Sequence, residues 1–132
     1  MAVDRDGAMV DIETVLDGHA VIHGEGEVLV HTNHVLADEL RHLDTAERPC
    51  SASRYATASA LSAEAPLSSG LMKDILRSHE GWPHSVCLHA ESEDCDDSQT
   101  IASAIVDLDD LTLAVANGPP CRHDYVTFRL TT

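Results

Sequence analysis

The sequence predicts an α+β fold of mostly antiparallel strands with two short helices. Apolar and polar residues alternate with a period of two up to about residue 36, a spacing typical of strands. Between residues 51 and 81 the apolar residues recur at helical spacing on either side of Pro66. Beyond Pro83 the period returns to two. We treat residues 1–132 as a single domain, since a chain of this length can bury one core.

The first third of the chain is predicted to be a meander of three strands. Residues 8–16 alternate and end at Asp17-Gly18, a dipeptide typical of a two-residue turn. Residues 19–23 form the second strand, and the glycine-containing segment 24–27 turns the chain into the third strand, 28–36. The third strand carries the sequence Leu-Val-His-Thr-Asn-His, so we expect it to present His and Asn side chains where it ends.

Two helices are predicted in the middle of the chain, after a polar surface loop or short irregular helix over residues 37–49. Residues 51–65 are rich in alanine, and Pro66 ends this first helix. The second begins at Ser68 or Ser69 as N-cap and stops at Gly81. Its buried stripe comprises Leu71, Met72, Ile75, Leu76 and His79. Both helices are expected to pack on one face of a sheet.

The last third is predicted to return to strands. An acidic loop, 91–98, separates the first of them from a strand that is apolar on both faces, as a central buried strand would be. Turns at Asp109-Asp110 and at 117–120 separate the remaining strands. The predicted strands cover residues 85–90, 100–108, 111–116 and 124–130.

The chain is strongly acidic, with 23 Asp and Glu against 8 Lys and Arg and a net charge of −15. Like charges repel, which argues against nucleic acid or an anionic membrane as a partner. Many carboxylates and a single lysine, Lys73, are typical of halophilic cytosolic proteins, although an ordinary acidic mesophilic protein has the same features. No signal-peptide pattern is present, so a cytoplasmic location is expected. The four cysteines are widely spaced and indicate neither a disulfide framework nor a redox motif.

Five short motifs occur in one order along the chain. They are Leu-Val-His-Thr-Asn-His (29–34), Ser-x-x-Arg-Tyr (51–55), Ser-Val-Cys-Leu-His-Ala (85–90), the segment 100–110 and Asn-Gly-Pro-Pro-Cys (117–121). Together they resemble the C-terminal half of the penicillin acyltransferase family of autoprocessing N-terminal-nucleophile hydrolases, which are related to cysteine peptidases. The resemblance implies part of an αββα sandwich. It also implies an amide hydrolase or acyltransferase that acts on small acylated amines.

The resemblance further implies roles for two residues. Asn33 occupies the position at which the family's asparagine stabilises the oxyanion of a tetrahedral intermediate, a role that suits an amide N–H. Asn33 could instead cap the strand end. Arg54 is a possible substrate-binding residue, although an arginine on a helix beside a tyrosine is more often a packing and ion-pairing residue, so its role stays open. The family's nucleophile is a freed N-terminal cysteine, and none of the four cysteines precedes Asn33. The chain is therefore expected to be inactive alone and to need the missing N-terminal half of the same enzyme.

Two alternatives come from other classes of protein. One is a non-catalytic acidic binding or structural domain, for which the lack of a cleft beside Asn33 would be the discriminating observation. The other, less favoured, is a zinc-binding module. Its four potential ligands fall within twelve residues, but no pair has finger-like spacing. The four are His84, Cys87, His89 and Cys95. The leading hypothesis expects neither a cofactor nor a resident metal.

Overall fold

The structure, a computed structural model, describes residues 1–4, 6–24, 26–44, 49–90 and 98–130. Within these ranges the chain forms two three-stranded antiparallel sheets and two α-helices, so the predicted α+β class is confirmed. None of the helices in these ranges is long and apolar enough to cross a membrane. The predicted loop residues 45–48 and 91–97, together with Cys95, lie outside the described residues.

The first sheet has the order β1–β2–β3, with β1 at Ala2–Val3, β2 at Met9–Val15 and β3 at Gly18–His23. The predicted hairpin is confirmed. Because Val15 pairs with Gly18, the two turn residues are 16 and 17, one position earlier than expected. Two carboxylates of β2, Asp11 and Glu13, are buried. They alternate with exposed Ile12, so the polar side chains of this strand point inward.

The prediction of a strand over residues 28–36 is wrong. No residue of this segment is in a strand, and β1 completes the sheet instead. The reason is that consecutive backbone amides at the end of the segment, from residue 34 to 37, donate to side chains rather than to a neighbouring strand. These bonds run from His34 N to Ser51 Oγ, Val35 N to Asp44 Oδ2, Leu36 N to Glu13 Oε1 and Ala37 N to Glu13 Oε2. Side chains thus satisfy donors that a sheet would otherwise pair.

The two helices are confirmed with different ends. After a 3₁₀ turn at Arg41–Leu43, α1 spans Pro49–Ser62 and stops before Pro66. Helix α2 spans Ser69–Arg77, and the predicted N-cap Ser68 accepts a hydrogen bond from Leu71 N at 3.1 Å. It ends before His79, so that residue belongs to the following loop and not to the predicted stripe. The helices pack on each other, and α2 also contacts β4.

The second sheet has the order β4–β5–β6, with β4 at Ser103–Asp107, β5 at Thr112–Ala116 and β6 at Val126–Arg129. The predicted central strand, β4, lies at an edge, and β5 is central. Residues 85–90 are not a strand, contrary to expectation. Their contact with the 98–102 region is a pair of hydrogen bonds between Leu88 and Thr100, one of which goes to the threonine side chain.

The cysteines also differ from expectation. Cys50 is disulfide-bonded, whereas the sequence indicated no disulfide. Cys87 and Cys121 are free thiols. Cys50 is buried near the start of α1 and precedes Ser51, which bonds to Thr32 and His34.

Candidate functional site

Asn33 and Arg54, the two residues selected from the sequence, are in direct contact. Arg54 Nη2 donates to Asn33 Oδ1 at 2.8 Å. A guanidinium can only donate, so the atom that it meets is the amide oxygen, and the Asn33 NH₂ group is left as the outward donor. Asn33 is exposed and Arg54 is half-buried. The arginine therefore fixes the orientation of an amide that is open to a ligand.

Helix α1 positions the arginine. Arg54 Nε donates to the backbone oxygen of Cys50 one turn earlier, at 3.2 Å, which holds the guanidinium against the helix. Burial lowers the pKa of the Arg54 guanidinium, but an arginine stays charged in proteins. A fixed positive charge thus stands directly behind the Asn33 amide.

The residues on both sides of Asn33 are bound to the same helix. Thr32 Oγ1 donates to the backbone oxygen of Ser51 at 3.0 Å, and Ser51 Oγ donates to Thr32 Oγ1 at 3.0 Å. The His34 ring lies edge-on to the Tyr55 ring, with centroids 5.6 Å apart. Each residue of the Thr-Asn-His motif therefore contacts a residue of the Ser-x-x-Arg-Tyr motif. Two motifs that are separate in the sequence form one site in the fold.

A buried carboxylate holds the same segment from the sheet side. Glu13 Oε1 lies 2.8 Å from His31 Nε2 and accepts from Leu36 N, while Oε2 accepts from Ala37 N. Burial opposes ionisation of Glu13, but the two backbone N–H groups and His31 outweigh it and hold the pKa of this carboxyl below its usual range. Asp11 Oδ2 lies 3.3 Å from the same His31 nitrogen. Glu13 therefore acts as an ionised anchor for residues 31–37.

A cavity of about 370 Å³ reaches Arg54, which bonds to Asn33, although Asn33 itself does not line it. Thr32, which precedes Asn33, and Arg54 both line it. Its other lining residues are mostly apolar and include Val30, Leu67, Met72 and Leu76. A larger cavity, of about 720 Å³, is lined by Glu27, Asp38, Tyr55 and their neighbours. We assign the smaller cavity to the site because it reaches the arginine that holds Asn33.

A second group of side chains, all potential metal ligands, comes from the C-terminal half of the chain. Their nitrogen and sulfur atoms all fall within 4.8 Å of one another. We call this group the His/Cys cluster; it consists of His79, Cys87, His89 and Cys121. Cys87 and His89 belong to the zinc set considered from the sequence, but His84 is not a member, and Cys95 lies outside the described residues.

Two members of this cluster are not evident from the sequence. The helical spacing predicts His79 in the buried stripe of α2, and Cys121 stands only at the end of a motif. One sequence feature could have indicated them: each lies next to a turn-forming segment, His79 before Gly81 and Cys121 after Pro119-Pro120. Burial raises the pKa of the Cys87 thiol to about 11, which disfavours its reactive thiolate form at neutral pH.

No protein-family model matches this chain, and no match was found among curated proteins. The family resemblance of the five motifs therefore stays a prediction.

Proposed function

We propose that this chain is the C-terminal part of an N-terminal-nucleophile amide hydrolase or acyltransferase, similar to the penicillin acyltransferase family, and that it acts on small acylated amines. Asn33 serves as the oxyanion donor, and Arg54 is its positioning residue. The observation that carries the proposal is the hydrogen bond from Arg54 to the Asn33 amide oxygen. The two residues come from two different motifs of the same resemblance and are 21 positions apart.

The chemistry of an acyl-transfer site explains why this arrangement suits the role. A tetrahedral intermediate develops negative charge on the former carbonyl oxygen, and a donor that is already oriented stabilises that charge without reorganisation. Arg54 holds the Asn33 carbonyl, which leaves the N–H₂ as the exposed end. The positive charge of the Arg54 guanidinium, behind the Asn33 amide, also attracts the negative charge that develops on the oxyanion.

The adjoining cavity fits the acyl group of such a substrate. Its volume of about 370 Å³ lies within the range of small-molecule sites. Leu67, Met72 and Leu76 give it an apolar surface. Apolar lining favours an aliphatic or aromatic acyl chain over a charged one, because a buried charge without a partner is costly.

The missing half of the enzyme would cover an apolar sheet face. On the outer face of the second sheet, Val106 pairs with Leu113 and Leu113 with Phe128, and a parallel row joins Ala104, Val115 and Val126. Val106, Val126 and Phe128 are each more than half exposed, at 53%, 58% and 53%. On the opposite face, Ile105 and Ala114 are buried. A sheet-on-sheet sandwich buries such an apolar face against a second sheet, which the N-terminal half would extend.

The nucleophile comes from the same missing half. No cysteine precedes Asn33 in these residues, and the Cys87 thiol is buried with a raised pKa. The 132-residue chain alone is therefore expected to hydrolyse no acyl amide and not to cleave itself. Turnover of acyl amides by the purified chain, abolished by thiol alkylation, would contradict the proposal.

The test is reconstitution with the polypeptide encoded directly upstream of Met1, provided that it contains an in-frame Gly-Cys or Asn-Cys. Asn33→Ala in the reconstituted enzyme should lower kcat by about 10²–10³, the usual loss for one oxyanion donor. KM should change little, because the donor acts mainly once charge has developed. Asn117→Ala, at the chain's other asparagine, is the matched control and should leave kcat unchanged.

Arg54 supplies a second comparison. Arg54→Ala should lower kcat less than Asn33→Ala, since it removes only the orientation of the donor, and the double variant should be no worse than Asn33→Ala alone. If Asn33→Ala has normal turnover and a lowered thermal midpoint, Asn33 is a structural turn residue and the oxyanion assignment is wrong. An inactive reconstituted pair that is correctly folded would favour the alternative, a non-catalytic acidic binding or structural domain.

A further inference from the structure

The His/Cys cluster brings together three segments of the chain, of which the one with Cys121 is distant in the sequence from the other two. His79 follows α2, Cys87 and His89 lie in the irregular segment after Pro83, and Cys121 lies between β5 and β6. The four ligand atoms are Nε2 of each histidine and Sγ of each cysteine. They are two nitrogens and two sulfurs, a donor set typical of tetrahedral zinc.

Three of the distances between these atoms fall in the range expected for the edges of a tetrahedron around a metal ion, and the nitrogen–nitrogen distance is a few tenths of an ångström shorter. The two sulfurs are 3.5 Å apart and the two nitrogens 3.0 Å apart. His89 Nε2 lies 3.3 Å from Cys121 Sγ and 3.8 Å from Cys87 Sγ. Metal–ligand bonds of about 2.3 Å to sulfur and 2.0–2.1 Å to nitrogen would separate neighbouring ligands by roughly 3.3–3.8 Å. The sulfur–sulfur distance is also far beyond the ~2.05 Å of a disulfide.

Hydrogen bonds outside the cluster hold its members in place. Cys87 N donates to the backbone oxygen of Ser78, the residue before His79, at 3.0 Å. Arg77 Nε donates to the backbone oxygen of Pro120, the residue before Cys121, at 2.9 Å. All three ligand-bearing segments are therefore joined independently of the four ligand side chains. Such preorganisation lowers the entropy cost of binding a metal.

The surroundings of the cluster indicate a structural site. Cys87 and His89 are 0% and 4% exposed, and Cys121 is partly buried. His79 is exposed and gives an ion a route of entry. Four protein ligands leave no open coordination position for a substrate or an activated water, in contrast to catalytic zinc sites.

We propose that the His/Cys cluster binds one zinc ion as a closed structural site. Binding displaces one proton from each of the two thiols into solvent, so two thiolates and two neutral imidazoles neutralise the Zn²⁺ charge. The ion joins the end of α2 to the loop between β5 and β6. This site does not depend on the proposed acyl-amide activity, because its residues are distinct from Asn33 and Arg54.

The first test uses the 132-residue chain with Zn²⁺ and Co²⁺ as probes, with Cys87 and Cys121 as free thiols and the Cys50 disulfide intact. We expect one Zn²⁺ per chain, release of about two protons per ion and a higher thermal midpoint. Co²⁺ should give the intense visible bands of a tetrahedral site and a sulfur-to-cobalt charge-transfer band. It should also quench Trp82, the only tryptophan, whose ring centroid lies 6.3 Å from His79 and 5.8 Å from His89. Absence of stoichiometric Zn²⁺ binding or of the cobalt–thiolate band would overturn the proposal.

Variants distinguish the His/Cys cluster from the set of potential ligands identified in the sequence, which contains His84 in place of His79. His79→Ala and Cys121→Ser should each weaken Zn²⁺ binding by at least about 100-fold, more than the 10–100-fold that loss of an outer partner costs. His42→Ala, at an exposed histidine on the 3₁₀ turn, is the neutral control. If His84→Ala weakens binding as much as His79→Ala does, the proposed ligand set is wrong. His79 is exposed, so its variant should fold; if the cysteine variant does not, the wild-type cobalt spectrum still decides.

Discussion

The substitution Glu13→Gln tests whether one buried carboxylate holds the Asn33 segment in place of a strand ladder. Glu13 is 5% exposed and accepts from Leu36 N at 2.7 Å, from Ala37 N at 2.9 Å and from His31 at 2.8 Å. Glutamine keeps the size of the side chain and one acceptor oxygen. Its NH₂ group would face one of the two backbone donors, so a buried N–H loses its acceptor.

The expected cost follows from these bonds. Hydrogen bonds to a charged group contribute about 1.5–3 kcal/mol each, and an unsatisfied buried donor costs a similar amount. We therefore expect Glu13→Gln to lower the free energy of unfolding by about 2–4 kcal/mol. For a chain of this length, that corresponds to a thermal midpoint lower by about 10 °C. Glu64→Gln, at an exposed glutamate, removes the same charge and should shift stability by less than about 0.5 kcal/mol.

The pH dependence of stability is a second, independent test of whether Glu13 stabilises the fold as a carboxylate. The folded-state pKa of Glu13 is lowered from 4.5, so its stabilisation is complete above pH 4.5 and is lost as the pH falls through the folded-state value. Glutamine does not titrate. The stability gap between wild type and Glu13→Gln should therefore be widest near neutral pH and narrow below pH 4.5.

Urea unfolding at several pH values measures this gap, and amide exchange at Leu36 and Ala37 reports the local consequence. Both amides should be protected in the wild type and lose protection in Glu13→Gln. Equal stability of Glu13→Gln and Glu64→Gln at pH 7, or a gap that widens at low pH, would refute the anchoring role.

Three further predictions concern stability. Because carboxylates dominate the charge of −15, the thermal midpoint should rise with KCl up to molar concentrations, where screening limits repulsion to about 3 Å; a flat or falling midpoint would contradict this. Ser68→Ala removes the N-cap of α2 and should cost about 1 kcal/mol in urea unfolding, whereas Ser69→Ala should cost less. Gly118→Ala should lower the free energy of unfolding by about 1–2 kcal/mol, because φ is +127° and a Cβ would lie 2.5 Å from the His123 ring. Gly70→Ala within α2 should raise it. A Gly118→Ala variant that is more stable than Gly70→Ala would contradict this backbone geometry.

Local patterns in the sequence predicted most of the elements. The β2–β3 hairpin, the two helices, the Ser68 cap and strands β4 to β6 all follow from period, turn residues and capping, which depend on neighbours within a few positions. Segments 28–36 and 85–90 have the same apolar alternation but are not strands. Their backbone donors meet side chains such as Glu13, Ser51 and Thr100, and the sequence does not show which distant side chain will be within reach.

The two candidate sites divide in the same way. Motifs in the sequence identified Asn33 and Arg54 separately, together with Cys87 and His89, because short patterns carry residue types and spacing. Only the tertiary structure placed Arg54 on the Asn33 amide and brought His79 and Cys121 to the other two ligands. The hydrogen-bond contacts among these residues join positions 10 to 34 apart. Such pairs are fixed by how helices α1 and α2 pack and by where the β5–β6 loop meets the end of α2, which no local period encodes.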